Sequence, residues 1–332
     1  MKNLKLFAVI SCIILVLVSG IFLGCSPNAP QTPSAKPQVS SDNISQTKAF
    51  PVRAPVQRFK IATTTSLYDT GLWSYLEPLF EKKYDVEMDI VYAGTGIALE
   101  YGRRGDVDAL VVHDPEAENK FIADGYGINR RYFAYNYFII LGPESDPAGI
   151  KGLTPEEAFK KIYKAGMQDP GKVKFVSRGD NSGTHSKEKL IWQAAGYKYE
   201  DIEKSGPWYI EAGKGMGPCL LMASELGAYI LADISTSLAY KGKITLVPLV
   251  EKGQLFLNVY AVMAINPDKI TTAKMLPAAN NFINWLMSDE VQDIIATYGV
   301  AEYGRSLFNP LKGGNCKEPG CPKLEDYTVP VK

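Results

Sequence analysis

Four hydroxyl side chains stand in a row at Thr63-Thr64-Thr65-Ser66, directly after the strand-like run Phe59–Ala62 and before an apolar-periodic stretch carrying Leu72, Leu76, Leu79 and Phe80. The first turn of a helix leaves backbone N–H groups unpaired and carries partial positive charge, so it draws anions. One Ser or Thr there caps the helix. Four exceed what capping needs and point to anion contact. A second strand-to-helix turn, Arg178-Gly-Asp-Asn-Ser-Gly-Thr184-His185, follows Val173–Ser177. Its Gly179 and Gly183 let the backbone approach a ligand, Ser182 and Thr184 are neutral donors, and Arg178 is a permanent cation. Asp180, two places on, is expected to pair with Arg178 and orient it, and His185 is read as incidental.

Two further turns share this grammar. Gly213-Lys-Gly-Met-Gly-Pro218 precedes a helix starting near Cys219, with Pro suited to a first helical turn and glycines that free the amides. Ala93-Gly-Thr-Gly96 opens another helix and offers Thr95, while His113-Asp114-Pro115 ends a strand and reads first as a turn that could also place a donor in a cleft.

Enzyme signatures are missing. There is no Gly-x4-Gly-Lys-Ser/Thr, no His-Glu-x-x-His and no Gly-x-Ser-x-Gly, and His113 and His185 are the chain's two histidines. A secreted serine hydrolase built on Ser182 and His185 is the alternative from another class, without a nucleophile elbow to support it. No clustered ligands suggest a metal cation, and no cofactor is expected.

These turns need a frame. Candidate strands at 59–62, 88–92, 109–113, 137–141, 173–177, 229–232, 244–248 and 259–265 alternate with candidate helices at 72–84, 97–103, 115–124, 155–165, 186–195, 219–226 and 280–287. Such alternation predicts an α/β fold with mostly parallel sheets flanked by helices. Two long apolar runs, Phe133–Leu141 and Leu255–Met263, each hold an Asn among aromatic residues and are read as paired strands crossing between two lobes. The chain has 332 residues, above the roughly 250 at which single cores stop growing. With 36 Lys+Arg against 36 Asp+Glu there is no broad basic face for nucleic acid. A charged ligand must therefore be held by local geometry.

Lys2 and Lys5 precede the apolar run Leu6–Leu23, which closes on Gly24-Cys25 and reads as an export signal. An uncleaved membrane anchor is the alternative. Residues 26–57 hold six prolines among Ser, Gln, Ala and Lys and are expected to be an unstructured leash. Cys316 and Cys321, in a Gly/Pro-rich tail, are close enough for a local disulfide, and Cys219 is expected to be a buried apolar residue.

Phe22-Leu-Gly-Cys25 resembles a lipoprotein box, with Phe22 where Leu, Val or Ile is usual; the resemblance implies a signal peptide over 1–25 and a lipidated Cys25. From the leash onward the chain resembles the extracytoplasmic substrate-binding proteins of ABC importers, most closely the tungstate-binding TupA family. Thr63-Thr-Thr-Ser66, Val112-His-Asp-Pro115, Arg178–Thr184 and Gly213-Lys-Gly-Met-Gly217 carry it, with Lys214 where the family pattern has Gln. The resemblance implies a two-lobed periplasmic-binding-protein-like fold of type II with the ligand cleft between lobes, 58–140 plus 262–332 forming lobe 1 and 141–261 lobe 2. It implies an oxyanion handed to a permease driven by a cytoplasmic ATPase, on a monomer lipid-anchored outside the cell. Implied ligand contacts are Thr64, Thr65 and Ser66 from one lobe and Arg178, Ser182, Gly183, Thr184, Gly215, Met216 and Gly217 from the other, with Thr95 and His113 as additions. A bare tetrahedral dianion only accepts hydrogen bonds, which suits hydroxyls, amides and one Arg. Molybdate, sulfate and phosphate are the alternative cargoes; phosphate keeps a proton and would suit a site that also offers a carboxylate, for which Asp69, Asp114 and Asp180 are candidates.

Overall fold

The computed structural model describes Gln57–Lys332. The expected signal segment, Cys25 and the leash up to residue 56 lie outside the described residues.

The first half of the chain order is β1 (Gln57–Thr64), α1 (Thr65–Asp69), α2 (Leu72–Tyr84), β2 (Val86–Ala93), α3 (Thr95–Arg104), β3 (Ala109–Val112), α4 (Pro115–Ala123) and the long β4 (Gly127–Gly142). Then come α5 (Pro155–Gln168), β5 (Phe175–Ser177), α6 (Gly183–Ala194), α7 (Tyr199–Glu203), β6 (Tyr209–Glu211), α8 (Met216–Leu226), β7 (Tyr229–Asp233), α9 (Ile234–Ala239) and β8 (Val247–Val250). A short 3-10 turn leads into β9 (Leu257–Ile265), followed by α10 (Leu276–Leu286), α11 (Asp289–Thr297), α12 (Val300–Tyr303), β10 (Asn309–Pro310) and α13 (Glu325–Thr328).

The strands form one ten-stranded sheet in the order β2-β1-β3-β9-β4-β7-β5-β6, with β8 and β10 also on β4. Strand β4 joins its two halves. Up to Tyr137 it pairs antiparallel with β9 and β10, and from Phe138 it pairs antiparallel with β7 and β8. Among the described strands, parallel pairing joins β1 to β2 and β3, and β5 to β6 and β7. The sheets are thus mixed, where the sequence led to an expectation of mostly parallel ones: a strand that crosses and a neighbour that returns must run antiparallel. The crossing runs do pair, with Asn136 opposite Asn258. Among the described strands, only β4 pairs in both halves.

Alternation along the strands sets two cores per half. Phe59 and Ile61 of β1 and Val111 of β3 face one cluster with Trp73, Leu76 and Phe80, while Ala62, Leu110 and Val112 face α3 and α4. In the other half Phe138 and Ile140 face Phe159 and Trp192, while Ile139 and Leu141 face Met216, Cys219 and Leu220. This period-two pattern on both faces is what helices on each side of a sheet require. Cys219 is buried as expected, with burial pushing its thiol up to about 11. A disulfide joins Cys316 to Cys321 in a tail packed on Tyr135, Leu257 and Val259.

Candidate functional site

The turn after β1 is sorted by its hydroxyls. Thr63 faces the core and accepts from Trp73 Nε1 at 3.1 Å. Thr64 caps α1, accepting from the Leu67 N–H at 3.4 Å, and lies 3.3 Å from Ser66 Oγ. Ser66 Oγ in turn lies 3.3 Å from His113 Nε2, so the pair is linked within a buried cluster. Thr65 points the other way. Gly71, with φ 76°, then breaks the stretch that sequence periodicity reads as leading into one helix, so the hydroxyls open their own short helix.

The turn after β5 carries the charge. Gly179 and Asn181 both take left-handed φ, 58° and 54°, conformations that Gly and Asn enter most readily. That folds Asp180 back on Arg178: the guanidinium donates to Asp180 Oδ2 at 2.5 Å, and Asp180 Oδ1 accepts from the Ser182 N–H at 3.1 Å. Asp180 therefore orients the cation, as expected from the spacing. Ser182 caps α6, accepting from the His185 N–H. Arg178 is 2% exposed and Thr184 1%. Arg178 Nε and Thr184 Oγ1 are buried and have no partner. Buried polar atoms are ordinarily satisfied, so two open donors on one turn mark a place that receives acceptors.

The four turns converge. Arg178 donates to Thr65 Oγ1 at 3.0 Å, the Gly183 N–H to Thr95 Oγ1 at 3.1 Å, and the Gly96 N–H to Asn181 O at 3.3 Å. A Cβ on Gly215 would stand 3.5 Å from Thr65, and one on Gly183 would stand 2.8 Å from the His113 ring. Thr64, Thr65, Ser66, Thr95, His113, Arg178, Ser182, Gly183, Thr184 and Gly215 thus share one region. Met216 sends its side chain into the core, leaving only its backbone to the region. A Cβ on Gly217 would meet the Tyr240 hydroxyl, so α8 approaches closely because this residue has none. The Gly183 amide is already taken by Thr95.

At neutral pH the fixed positive charge here is Arg178. Burial pushes both His113 and His185 down to about 4, leaving both imidazoles neutral. His185 accepts from the Asn181 N–H at Nδ1, 3.0 Å, and its Nε2 lies 2.6 Å from the Tyr199 hydroxyl. No hydrogen bond joins its ring to Ser182 Oγ. Of the nearby carboxylates, Asp180 is held by Arg178 and Asp114 caps α4 through the Ala117 N–H at 3.1 Å. Asp69 is raised by burial, an effect the Gly217 N–H partly offsets. No group of three or more His, Cys, Asp or Glu side chains that could hold a metal ion occurs among the described residues.

One cluster carries no sequence signal of the kind used above. Asp233, Ser235 and Thr236 at the start of α9 are fully buried, and Thr236 Oγ1 donates to Ser66 O at 3.2 Å. A groove of about 620 Å³ between α4 and α6 is lined by residues such as Asp114, Lys120, Lys189 and Tyr199 rather than by the open donors.

Residues 32–290 match the family model described as the PBP superfamily domain. The chain is 41% identical over 250 residues to the tungstate-binding protein TupA of Peptoclostridium acidaminophilum, covering 75% of this chain and 84% of that one. It also aligns with the crystal structure of the tungstate ABC transporter from Geobacter sulfurreducens at 45% identity and a TM-score of 0.64, over 73% of this chain and 98% of that one. Tungstate-binding TupA from Desulfovibrio alaskensis G20 aligns at 37% identity and a TM-score of 0.62, over 77% and 99%.

Proposed function

The chain belongs to the PBP superfamily and, within it, to the TupA-type substrate-binding proteins, and we propose that it captures a bare tetrahedral oxyanion, tungstate first, for an ABC importer. The observation that carries this reading is the pair of buried open donors, Arg178 Nε and Thr184 Oγ1, beside a guanidinium already aimed by Asp180. A dianion without protons accepts hydrogen bonds and offers none, so it satisfies both donors and brings no proton of its own into the site. Thr65, Thr95, Ser182 and the turn at Gly215–Gly217 would complete the shell. Thr64, Ser66 and His113 would support it from behind.

Hydrogen phosphate needs an acceptor as well. Asp180 has both oxygens committed, to Arg178 and the Ser182 N–H, while Asp69 and Asp114 each accept one backbone N–H and keep lone pairs able to read a protonated ligand. Tungstate and molybdate share charge and nearly share size, so the order between those two rests on the family. The two halves joined by β4 are read as lobes closing on the ion and excluding water, which strengthens each contact. A Cys25 lipid anchor and the leash that precedes β1 would hold this monomer outside the cell, near the permease and its cytoplasmic ATPase. Competition titration of the purified protein with tungstate, molybdate, sulfate and phosphate tests the reading. Tungstate and molybdate should displace the other two. Preferential retention of phosphate would overturn it.

A further inference from the structure

Asn136 and Asn258 face each other where β4 passes from one half of the sheet to the other, and both are buried. Asn258 Nδ2 donates to Asn136 Oδ1 at 2.8 Å, and Asn136 Nδ2 donates to Ser235 Oγ at 2.9 Å. Ser235 donates to Asp233, which also accepts from the Thr236 N–H at 2.9 Å and the Thr236 hydroxyl at 2.7 Å. That hydroxyl has one proton, which is shared between Asp233 Oδ2 and the more distant Ser66 O at 3.2 Å, in the hydroxyl turn of the first half. A path of buried hydrogen bonds therefore runs from the crossing strands, through the first turn of α9, into the candidate site. An apolar pair would hold two strands together as well, because replacing both partners of a buried hydrogen bond by similar apolar groups is nearly neutral for stability. A polar path in this place calls for a second role.

We propose that Asn136, Asn258, Ser235, Asp233 and Thr236 are positioning residues that hold the first turn of α9 against the Ser66 turn when the halves close, and so slow release of the oxyanion. The proposal rests on the oxyanion-capture reading above. It adds a coupling between the crossing strands and the site that the ligand contacts alone do not supply. None of the five is among the ligand contacts proposed above.

The test compares the wild type, Thr236→Val and the double variant Asn136→Leu with Asn258→Leu. Stopped-flow displacement of tungstate should show release faster by about tenfold in each variant, as for loss of one buried hydrogen bond. Association should stay within about twofold of wild type, because encounter depends on the open form. Spin labels on the two halves of the ligand-free protein supply a second readout, expected to shift toward longer distances in both variants. The double variant takes both amides from the buried Tyr260 hydroxyl, so its melting temperature should fall, and Thr236→Val, which leaves that hydroxyl's partners in place, separates positioning from folding. Release at the wild-type rate with an unchanged distance distribution overturns the proposal, and Thr236→Val decides it if the double variant fails to fold. A wild type that binds none of the four anions would fail the capture reading instead, and the spin-label distances would still decide the coupling.

Discussion

The turns after β1 and after β5 look alike in sequence, each a run of small polar residues between a strand and a helix, yet they do opposite things. In the β1 turn Thr63, Thr64 and Ser66 spend their hydroxyls on Trp73, Leu67, His113 and one another. In the β5 turn Arg178 Nε and Thr184 Oγ1 stay open although both are buried. A count of hydroxyls does not reveal a binding surface; what reveals it is which buried polar atoms lack a partner. The first turn is a prebuilt wall, and the second supplies the charge and the free donors.

Four substitutions or titrations would break or sharpen that contrast. The largest effect belongs to Arg178→Ala, which should weaken tungstate binding by about 2–5 kcal/mol in calorimetry, as for truncating one member of a buried charge pair. Unchanged affinity would remove the contrast altogether. Next is pH, because each half holds a buried carboxyl: burial pushes Glu118, on α4, up to about 8 and Glu188, on α6, up to about 7. A carboxyl with a raised folded value binds its proton more tightly in the folded state. Its contribution is therefore full below the ordinary value near 4.5 and lost as pH rises through the folded value. Thermal unfolding between pH 6 and 9 should show losses on the order of 1–3 kcal/mol, with the α6 side loosening first. Glu188→Gln should remove the lower step and Glu118→Gln the upper. An unfolding profile that is flat from pH 6 to 9 would refute this.

Smaller still is Thr184→Val, which deletes an open donor while keeping the shape. It should cost about 1 kcal/mol of tungstate affinity and leave the ligand-free melting temperature equal or higher, since an unpaired buried hydroxyl is gone. A fall in ligand-free stability with unchanged affinity would move Thr184 into the wall. Thr65→Val should do least, about 0.5 kcal/mol in affinity, because its hydroxyl contributes one contact to Arg178 that water can replace at a half-buried position. If Thr65→Val outweighs Thr184→Val, the roles of the two turns are reversed.

Much of this was legible because chemistry and periodicity coincided. The glycines, hydroxyls and lone Arg of the three main turns mark strand-to-helix junctions that local rules describe well, and the asparagines in the two aromatic runs flagged strands that do pair. Strand β6, only Tyr209–Glu211, is too short for periodicity to register, and β10 is shorter still. The mixed pairing escaped because alternation of strands and helices says nothing about which way a returning strand runs. Asp233-Ile-Ser-Thr236 reads locally as one more capped helix, and Asp233 does cap α9. Its link to Ser66 depends on residues 170 positions apart in sequence meeting in space, which no local pattern encodes.

The central claim, that the ion sits on the unspent donors of the β5 turn, is tested most directly by anomalous diffraction at the tungsten edge from crystals grown with tungstate. One peak should lie between Arg178, Thr184 and Thr65, with its oxygens within hydrogen-bonding reach of Arg178 Nε and Thr184 Oγ1. A peak in the groove between α4 and α6, with those two donors still bare, would contradict it.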